Sequence, residues 1–266
     1  MSGVLRGVLV AALIAALVTG VLWSAQRRLI YFPSQVVPDA PTGVTPVDTT
    51  TEDGLDLQGW LVGVEQATGP LVIVFHGNGG NWADRLPLGR ALSSEGLPVL
   101  LAGYRGYGGN PGAPTQEGLE ADARAWHQWA QQHHDGDLAY YGESLGTGVA
   151  VGLAAVTDPV ALVLRSPFTS LADAGRVHYP WLPLTVLLRD RFPILTVVGD
   201  LDVPILVVLG TADGLVPPEQ SRAVHRAAAE PAGLVEVPGA RHNDRALLDG
   251  EPLIRAVTEL LRDGSR

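Results

Sequence analysis

A serine set between glycines, Gly142-Glu143-Ser144-Leu145-Gly146, follows the apolar run Leu138-Ala139-Tyr140-Tyr141 and precedes the small-residue segment Thr147-Gly148-Val149-Ala150. That order reads as strand, sharp turn and helix, with the serine at the apex. A nucleophilic serine needs such a turn, because it lifts the hydroxyl clear of the sheet edge while the glycines keep side chains out of the strand–helix crossing. Leu145 then presents its backbone N–H at the helix start, where charge building on a carbonyl oxygen is stabilised. With 32 glycines in 266 residues the motif is weak by itself. Three further segments give it weight, because they fall in the order this chemistry requires.

The first is Leu71-Val72-Ile73-Val74-Phe75-His76-Gly77-Asn78-Gly79-Gly80, an unbroken apolar run ending in glycines. Such a run is a buried parallel strand, and the loop after it is where a second oxyanion donor sits, placed here on the backbone N–H of Asn78. The alternative is a turn that uses its glycines for geometry alone. His76 lies far upstream of the serine and reads as a shaper of this loop. The second segment, Pro204 to Asp213, is another buried strand with an aspartate at its end, pointing Asp213 into the same crevice. Capping of the helix near Pro217 is the competing role for Asp213. Asp200 and Asp202 precede that strand and fall at its opposite end. The third segment, Leu234 to Asp244, runs from a strand into a loop bearing His242. His133 and His134 read as a solvated helix-to-strand loop, and no cluster with ligand spacing accompanies them.

Ser144, Asp213 and His242 thus occur in the chain order Ser…Asp…His. A serine hydroxyl is a weak nucleophile, so a neutral imidazole must take its proton and later deliver it to the leaving group. A buried carboxylate holds the ring tautomer and stabilises the imidazolium. The N–H groups of Asn78 and Leu145 complete the set, which calls for no cofactor and no metal.

The segments His76-Gly77-Asn78-Gly79, Tyr104-Arg105-Gly106-Tyr107-Gly108, Gly142 to Gly146, Ser166-Pro167-Phe168-Thr169-Ser170 and Gly239-Ala240-Arg241-His242-Asn243 resemble motifs of the α/β-hydrolase superfamily, over about Pro46 to Leu261. The chain is most similar to the branch of small-lidded, often membrane-anchored serine hydrolases grouped with serine-aminopeptidase and monoacylglycerol-lipase-like domains. The resemblance implies a mostly parallel eight-stranded sheet with helices on both faces, a small lid and a serine-hydrolase activity. It does not specify substrate, because the branch holds esterases, thioesterases, lipases and peptidases. Two positions depart from it: Gly103, where relatives often carry aspartate, and Arg165, where they often carry glutamate. Both are support positions.

The remaining elements fit that plan. Thr45–Thr51 and Leu55–Val64 read as a hairpin across Asp53-Gly54. Strands follow at Leu71–Phe75, Pro98–Ala102, Leu138–Tyr141, Ala161–Leu164, Ile205–Leu209 and Leu234–Val237. Helical patterns alternate with them at Trp82–Ser94, Gln116–Gln132, Leu145–Ala155, Glu219–Ala229 and Arg245–Arg262, as in a parallel sheet covered on both faces.

The N-terminus is different material. Val8 to Trp23 carries no charge, with Arg6 before it and Arg27 and Arg28 after it. Spanning ~30 Å of hydrocarbon takes about 20 helical residues, which Gly3 to Trp23 supplies if Arg6 reaches back to the headgroups. Trp23, Tyr31 and Phe32 suit an interfacial belt. The reading divides the chain into a membrane anchor at 1–28 (or an uncleaved signal), a Pro-rich linker at 29–45 and the catalytic domain at 46–266. A cleaved secretory signal is the alternative, although Trp23-Ser24-Ala25 puts a bulky residue where a small one is wanted. The expectation is a single-pass membrane protein, in a bacterium of the inner membrane. Arg6 with the amino terminus nearly balances Arg27 with Arg28, leaving the side of the catalytic domain open.

The net charge is −10 and all 18 basic residues are arginine, so no basic patch invites nucleic acid. The absence of cysteine excludes a Cys-His hydrolase, disulfides and acylation at cysteine. A dehalogenase would need a carboxylate at Ser144. The reading is a serine hydrolase of carboxylic esters or thioesters, acting on a small-molecule or lipid-like substrate. A peptidase or amidase of the same mechanism, a perhydrolase and a membrane-tethered non-catalytic binding module are the alternatives. About 36 residues separate Phe168 from the strand at Ile205, which is short for a lid. That interval carries the apolar stretch Tyr179 to Leu188. Phe168, Trp181, Leu182, Leu215 and Val216 are therefore expected to wall an acyl pocket on the side facing the bilayer, unless the stretch is an ordinary helix on the sheet.

Overall fold

The computed structural model describes residues 3–64 and 69–263. Residues 1–2, 65–68 and 264–266 of the spans named above lie outside the described residues. Among the described residues the main sheet has eight strands: β2 (Val44–Thr50), β3 (Asp56–Val62), β4 (Leu71–Phe75), β6 (Val99–Ala102), β7 (Leu138–Glu143), β8 (Ala161–Arg165), β9 (Ile205–Gly210) and β10 (Pro231–Val237). Two further short strands, β1 (Phe32–Pro33) and β5 (Gly79–Gly80), pair with each other in parallel. The main sheet runs β10-β9-β8-β7-β4-β6-β3-β2. Strands β10 to β6 in that order are parallel, and the β2–β3 hairpin is antiparallel and joins antiparallel to β6.

The central strands read as unbroken apolar runs because both their faces are buried. In β4 all five side chains are buried, with Leu71, Ile73 and Phe75 on one face and Val72 and Val74 on the other. The first face packs against α3 (Gln116–His133), α4 (Leu145–Ala154) and α8 (Pro218–Ala227) through Trp126, Val149 and Val224. The second packs against α2 (Leu86–Ser94) and α9 (Glu251–Asp263) through Leu88, Leu92, Leu253 and Val257. The sheet thus matches the expected eight-stranded, doubly covered form. Between β8 and β9 lie three short helices, α5 (Leu171–His178), α6 (Leu184–Leu187) and α7 (Ile194–Val197), in place of a large lid.

Two expected helices are broken. Trp82–Ser94 starts as a 3₁₀ turn at Trp82–Arg85, capped by Asn81, before α2 begins. Arg245–Arg262 is a 3₁₀ turn at Arg245–Leu247 and then, separately, α9. Pro252 disfavours helical backbone at the residue before it and has no N–H to donate, so it fits only at a helix start. A Cβ at Gly250 would stand 2.3 Å from the Ala246 carbonyl oxygen, which marks the tight turn between the two pieces.

The long N-terminal helix α1 (Gly3–Ile30) is long and apolar enough to cross a membrane, and its most apolar window is unburied. The stretch after it is no free linker. Tyr31 is buried in the core, and the N–H of Phe32 donates to the carbonyl of Asn78 at 2.8 Å. The N–H of Ser34 donates to that of Gly80 at 2.9 Å. This part of the span 29–45 therefore packs as a part of the folded unit.

The β4 and β7 strands are the switch point of the sheet, where chain connections leave in opposite directions and a crevice opens at the strand ends. There α4 crosses close: a Cβ at Gly146 would lie 2.0 Å from the carbonyl oxygen of Phe75, and one at Gly142 2.6 Å from that of Gly146. The neighbour in each case is backbone, which cannot rotate away. Overpacking of this kind costs ~1–3 kcal/mol. Gly146→Ala is expected to lower Tm by about 5–10 °C in a thermal melt, and an unchanged Tm would contradict the close crossing.

Candidate active site

Ser144 sits between β7 and α4 with φ 50° and ψ −116°, a left-handed backbone rare for a residue with a side chain. Such strain costs about 1–3 kcal/mol and persists only where the surroundings enforce it. Its N–H donates to the carbonyl of Arg165 at 2.9 Å, and its own carbonyl accepts from the Thr147 N–H and hydroxyl. The turn aims Oγ at His242, whose Nε2 lies 2.9 Å away. The other ring nitrogen, Nδ1, is 2.7 Å from Oδ2 of Asp213. Since the carboxylate accepts, Nδ1 carries the proton and Nε2 is free to accept from the serine.

Asp213 lies in the turn just after β9, and its Oδ1 accepts from the N–H groups of Leu215 and Val216, both at 2.9 Å. Burial pushes the Asp213 carboxyl up, but the hydrogen bond and charge of His242, together with those two N–H groups, outweigh it and hold the group below its ordinary value. The three side chains are buried, so the relay is shielded from bulk water.

Asn78 and Leu145 both line the cavity that exposes Ser144. Leu145 opens α4, where the first N–H groups have no acceptor one turn back. The peptide between Gly77 and Asn78 is oriented from its carbonyl side. His76 Nδ1 is 2.8 Å from the Gly77 oxygen, and an oxygen there can only accept, so Nδ1–H donates. In a trans peptide the N–H points opposite to the C=O, which leaves that of Asn78 turned away from His76. Burial, helped by the charge of Arg85, pushes His76 down to about 3, keeping it neutral for this task. The next peptide is held by its carbonyl, which accepts from Tyr107 Oη at 2.9 Å as well as from Phe32. The Tyr104-Arg105-Gly106-Tyr107-Gly108 segment is anchored in turn by Arg105, whose guanidinium pairs with Asp122 on α3 and Asp53 in the hairpin turn.

The two departures from the family pattern have separate explanations. At Gly103 a Cβ would stand 1.9 Å from the carbonyl oxygen of Gln58, leaving no room for an aspartate. Arg165 is buried: its Nη1 donates to the carbonyl of His242 at 2.9 Å, and its Nη2 lies 3.3 Å from Glu143. Arg85 flanks the same carboxylate from the other side, with Nε 3.0 Å from Oε2. Burial raises the Glu143 carboxyl, but the charges of Arg165 and Arg85 override it and hold the group well below the usual glutamate range. Arg85 carried no sequence signal, since its partner lies 58 residues away.

A cavity of about 540 Å³ opens over Ser144. Phe168, Trp181, Leu182, Leu215 and Val216 all line it, so the structure brings the five expected pocket residues together. It adds residues that sequence reasoning missed, from the last turns of α1 and from Phe32. Among the described residues no group of three or more His, Cys, Asp or Glu side chains is placed to hold a metal.

Comparison with known proteins agrees with this fold. A family model described as alpha/beta hydrolase fold matches residues 70–198. The chain belongs to the α/β-hydrolase superfamily. It is 48% identical over 250 residues to an uncharacterized protein of Mycobacterium tuberculosis strain H37Rv, covering 91% of this chain and 89% of that one. It is 30% identical over 196 residues to lysophosphatidylserine lipase ABHD12 of Danio rerio, covering 66% of this chain and 51% of the lipase. Among solved structures, an esterase of Pyrococcus furiosus superposes with a TM-score of 0.74 at 22% identity, covering 89% of this chain and 98% of the esterase. That likeness establishes the shared architecture of this hydrolase fold.

The paired arginines predict a pH dependence. A glutamate whose folded value is depressed adds stability that is complete above the unfolded value of ~4.3 and is lost as pH falls below it. Glu143→Gln leaves two buried guanidinium groups without their counter-charge, a loss of ~3 kcal/mol. Urea unfolding at pH 7 should show that loss, and the gap to the native chain should narrow on acidification toward pH 3. Equal stabilities at pH 7 would contradict the network.

Proposed function

We propose that the chain is a serine hydrolase that cleaves carboxylic esters or thioesters through an acyl-enzyme. The observation that carries this reading is the pair of distances, 2.9 Å from Ser144 Oγ to His242 Nε2 and 2.7 Å from Nδ1 to Asp213, at the floor of an apolar cavity. In the first half-reaction Ser144 Oγ attacks the carbonyl carbon as its proton passes to Nε2. Asp213 stabilises the imidazolium, and the N–H groups of Asn78 and Leu145 receive the charge on the carbonyl oxygen. Collapse of the tetrahedral intermediate breaks the bond to the alcohol or thiol, which leaves with the proton from Nε2. Water then repeats the sequence on the acyl-serine and releases the acid. The superfamily and the esterase likeness support hydrolase chemistry of this kind.

The substrate side of the proposal is an acyl group held by Phe168, Trp181, Leu182, Leu215 and Val216. Burial of apolar surface at ~25 cal/mol per Å² rewards each added methylene until the pocket is full. The helix α1 supports a single-pass membrane location, in which the ester comes from or near the bilayer.

Ser144→Ala should abolish both p-nitrophenyl ester turnover and fluorophosphonate labelling while the protein stays folded. Asp213→Asn should lower kcat by about 10⁴-fold through loss of the ring tautomer. Wild-type turnover in Ser144→Ala would overturn the assignment, and faster cleavage of aminoacyl p-nitroanilides than of esters would replace the esterase reading with a peptidase. Across p-nitrophenyl esters, kcat/KM should rise from acetyl to medium chains and then fall. A steady decline from acetyl onward would refute the acyl pocket.

A further inference from the structure

The membrane helix does not end where the folded unit begins. Leu22, Gln26, Leu29 and Ile30 fall at positions i, i+4, i+7 and i+8, one face of α1, and all four line the cavity over Ser144. This face is docked, not merely adjacent. The Gln26 side chain donates to the carbonyls of Trp23 and Leu187 and accepts from the N–H of Arg189 at 2.8 Å. Arg27 forms two bonds to the buried Asp190, at 3.2 and 3.1 Å, and the hydroxyl of Tyr31 adds a third to the same carboxylate at 3.0 Å. The guanidinium of Arg189 lies over the Trp23 ring, 5.0 Å from its centroid. Asn78, on the loop beside Ser144, donates from its side chain to the carbonyl of Ile30 at 2.8 Å. The helix end is thus tied both to the α6–α7 segment and to the loop carrying the second oxyanion donor.

The other end of α1 is built differently. Residues 3–21 make about 28 Å of helix at 1.5 Å per residue, close to the ~30 Å of a hydrocarbon core. Along it, large apolar side chains such as Val4, Leu13 and Leu17 are exposed. The lining face therefore starts where the bilayer would stop, with Trp23, Arg27 and Arg28 at the height of the interface. The α5–α7 segment turns apolar side chains outward in the same region: Trp181 is 73% exposed and Val186 77%. Trp181 lines the cavity together with Trp23. Exposed apolar surface beside a membrane helix is surface that rests on lipid.

We propose that residues 22–30, roughly the last two and a half turns of α1, are a wall of the acyl pocket and set its chain-length selectivity, and that the pocket takes its ester from the leaflet holding the helix. The substrate class is then a membrane lipid ester, with one acyl chain in the cavity and its carbonyl at Ser144. A cavity of about 540 Å³ lies in the lower half of the range that holds one drug-sized ligand, ~300–1,000 Å³, and has room for one such chain. This rests on the serine-hydrolase reading and adds a specificity role that no part of the site itself requires.

The test uses the full chain in phosphatidylcholine vesicles, with a series of 4-methylumbelliferyl esters from acetate to palmitate as probes. Leu22→Ala should lower the palmitate-to-acetate ratio of kcat/KM about ten-fold through lost contact with the distal chain. Leu22→Trp, which fills the cavity in place of opening it, should move the optimum to shorter esters. Leu13→Ala, within the span and away from the cavity, should change neither. Ratios and optimum unchanged in both pocket variants, or an equal loss in Leu13→Ala, would overturn the proposal. Fluorophosphonate labelling of each variant separates the two readings: labelled protein with unshifted selectivity rejects the wall alone, whereas unlabelled native protein rejects the hydrolase itself.

Discussion

The site depends on one backbone constraint, the left-handed turn at Ser144. The chain must reverse there between a fully buried strand and a helix that passes within contact of the β4 backbone. Gly142 and Gly146 leave no room for side chains at that crossing. The residue between them therefore takes φ 50°, and the hydroxyl projects over the sheet end. Everything else converges on that point from other strands. Asp213 comes from the end of β9, His242 from the loop after β10, and Asn78 from the loop after β4. The switch point supplies the crevice, and the turn supplies the direction.

Charge registers these separate loops. Glu143, immediately before the serine, is bracketed by Arg85 and Arg165, and Arg165 also holds the carbonyl of His242. A buried pair adds little net stability compared with apolar packing, but losing one member is costly. Its contribution here is positional, joining the strand before Ser144 to the loop of His242 through one guanidinium. Arg27 and Asp190 act in the same way on a larger scale, fastening α1 to the segment between α6 and α7. In both places an arginine pairs with a buried carboxylate to hold two segments at one spacing.

Much of this was legible in the sequence, and what was not has common physical causes. The central strands announced themselves because burial on both faces gives uninterrupted apolar runs such as Leu71 to Phe75. Ser144, Asp213 and His242 stood out because each follows a strand, in the right order. Helix breaks were harder: Pro252 marked the start of α9 at Glu251, yet the apolar period continues across it and suggests one helix from Arg245. Long-range side-chain pairs leave no local pattern at all. Arg85 finds Glu143 at a distance of 58 residues, and Arg27 finds Asp190 at 163. For that reason the stretch after residue 28 read as a linker, although its first residues pair with the Asn78–Gly80 loop and the helix before it lines the cavity.

The most direct measurement is a crystal structure of the protein after reaction with an alkyl fluorophosphonate. The account predicts a covalent bond from Ser144 Oγ to phosphorus. One phosphoryl oxygen should lie about 2.7–3.1 Å from the N–H groups of both Asn78 and Leu145, with the alkyl chain running between Leu182 and α1. Phosphorus bonded to another residue, or an oxygen that meets neither N–H, would contradict it.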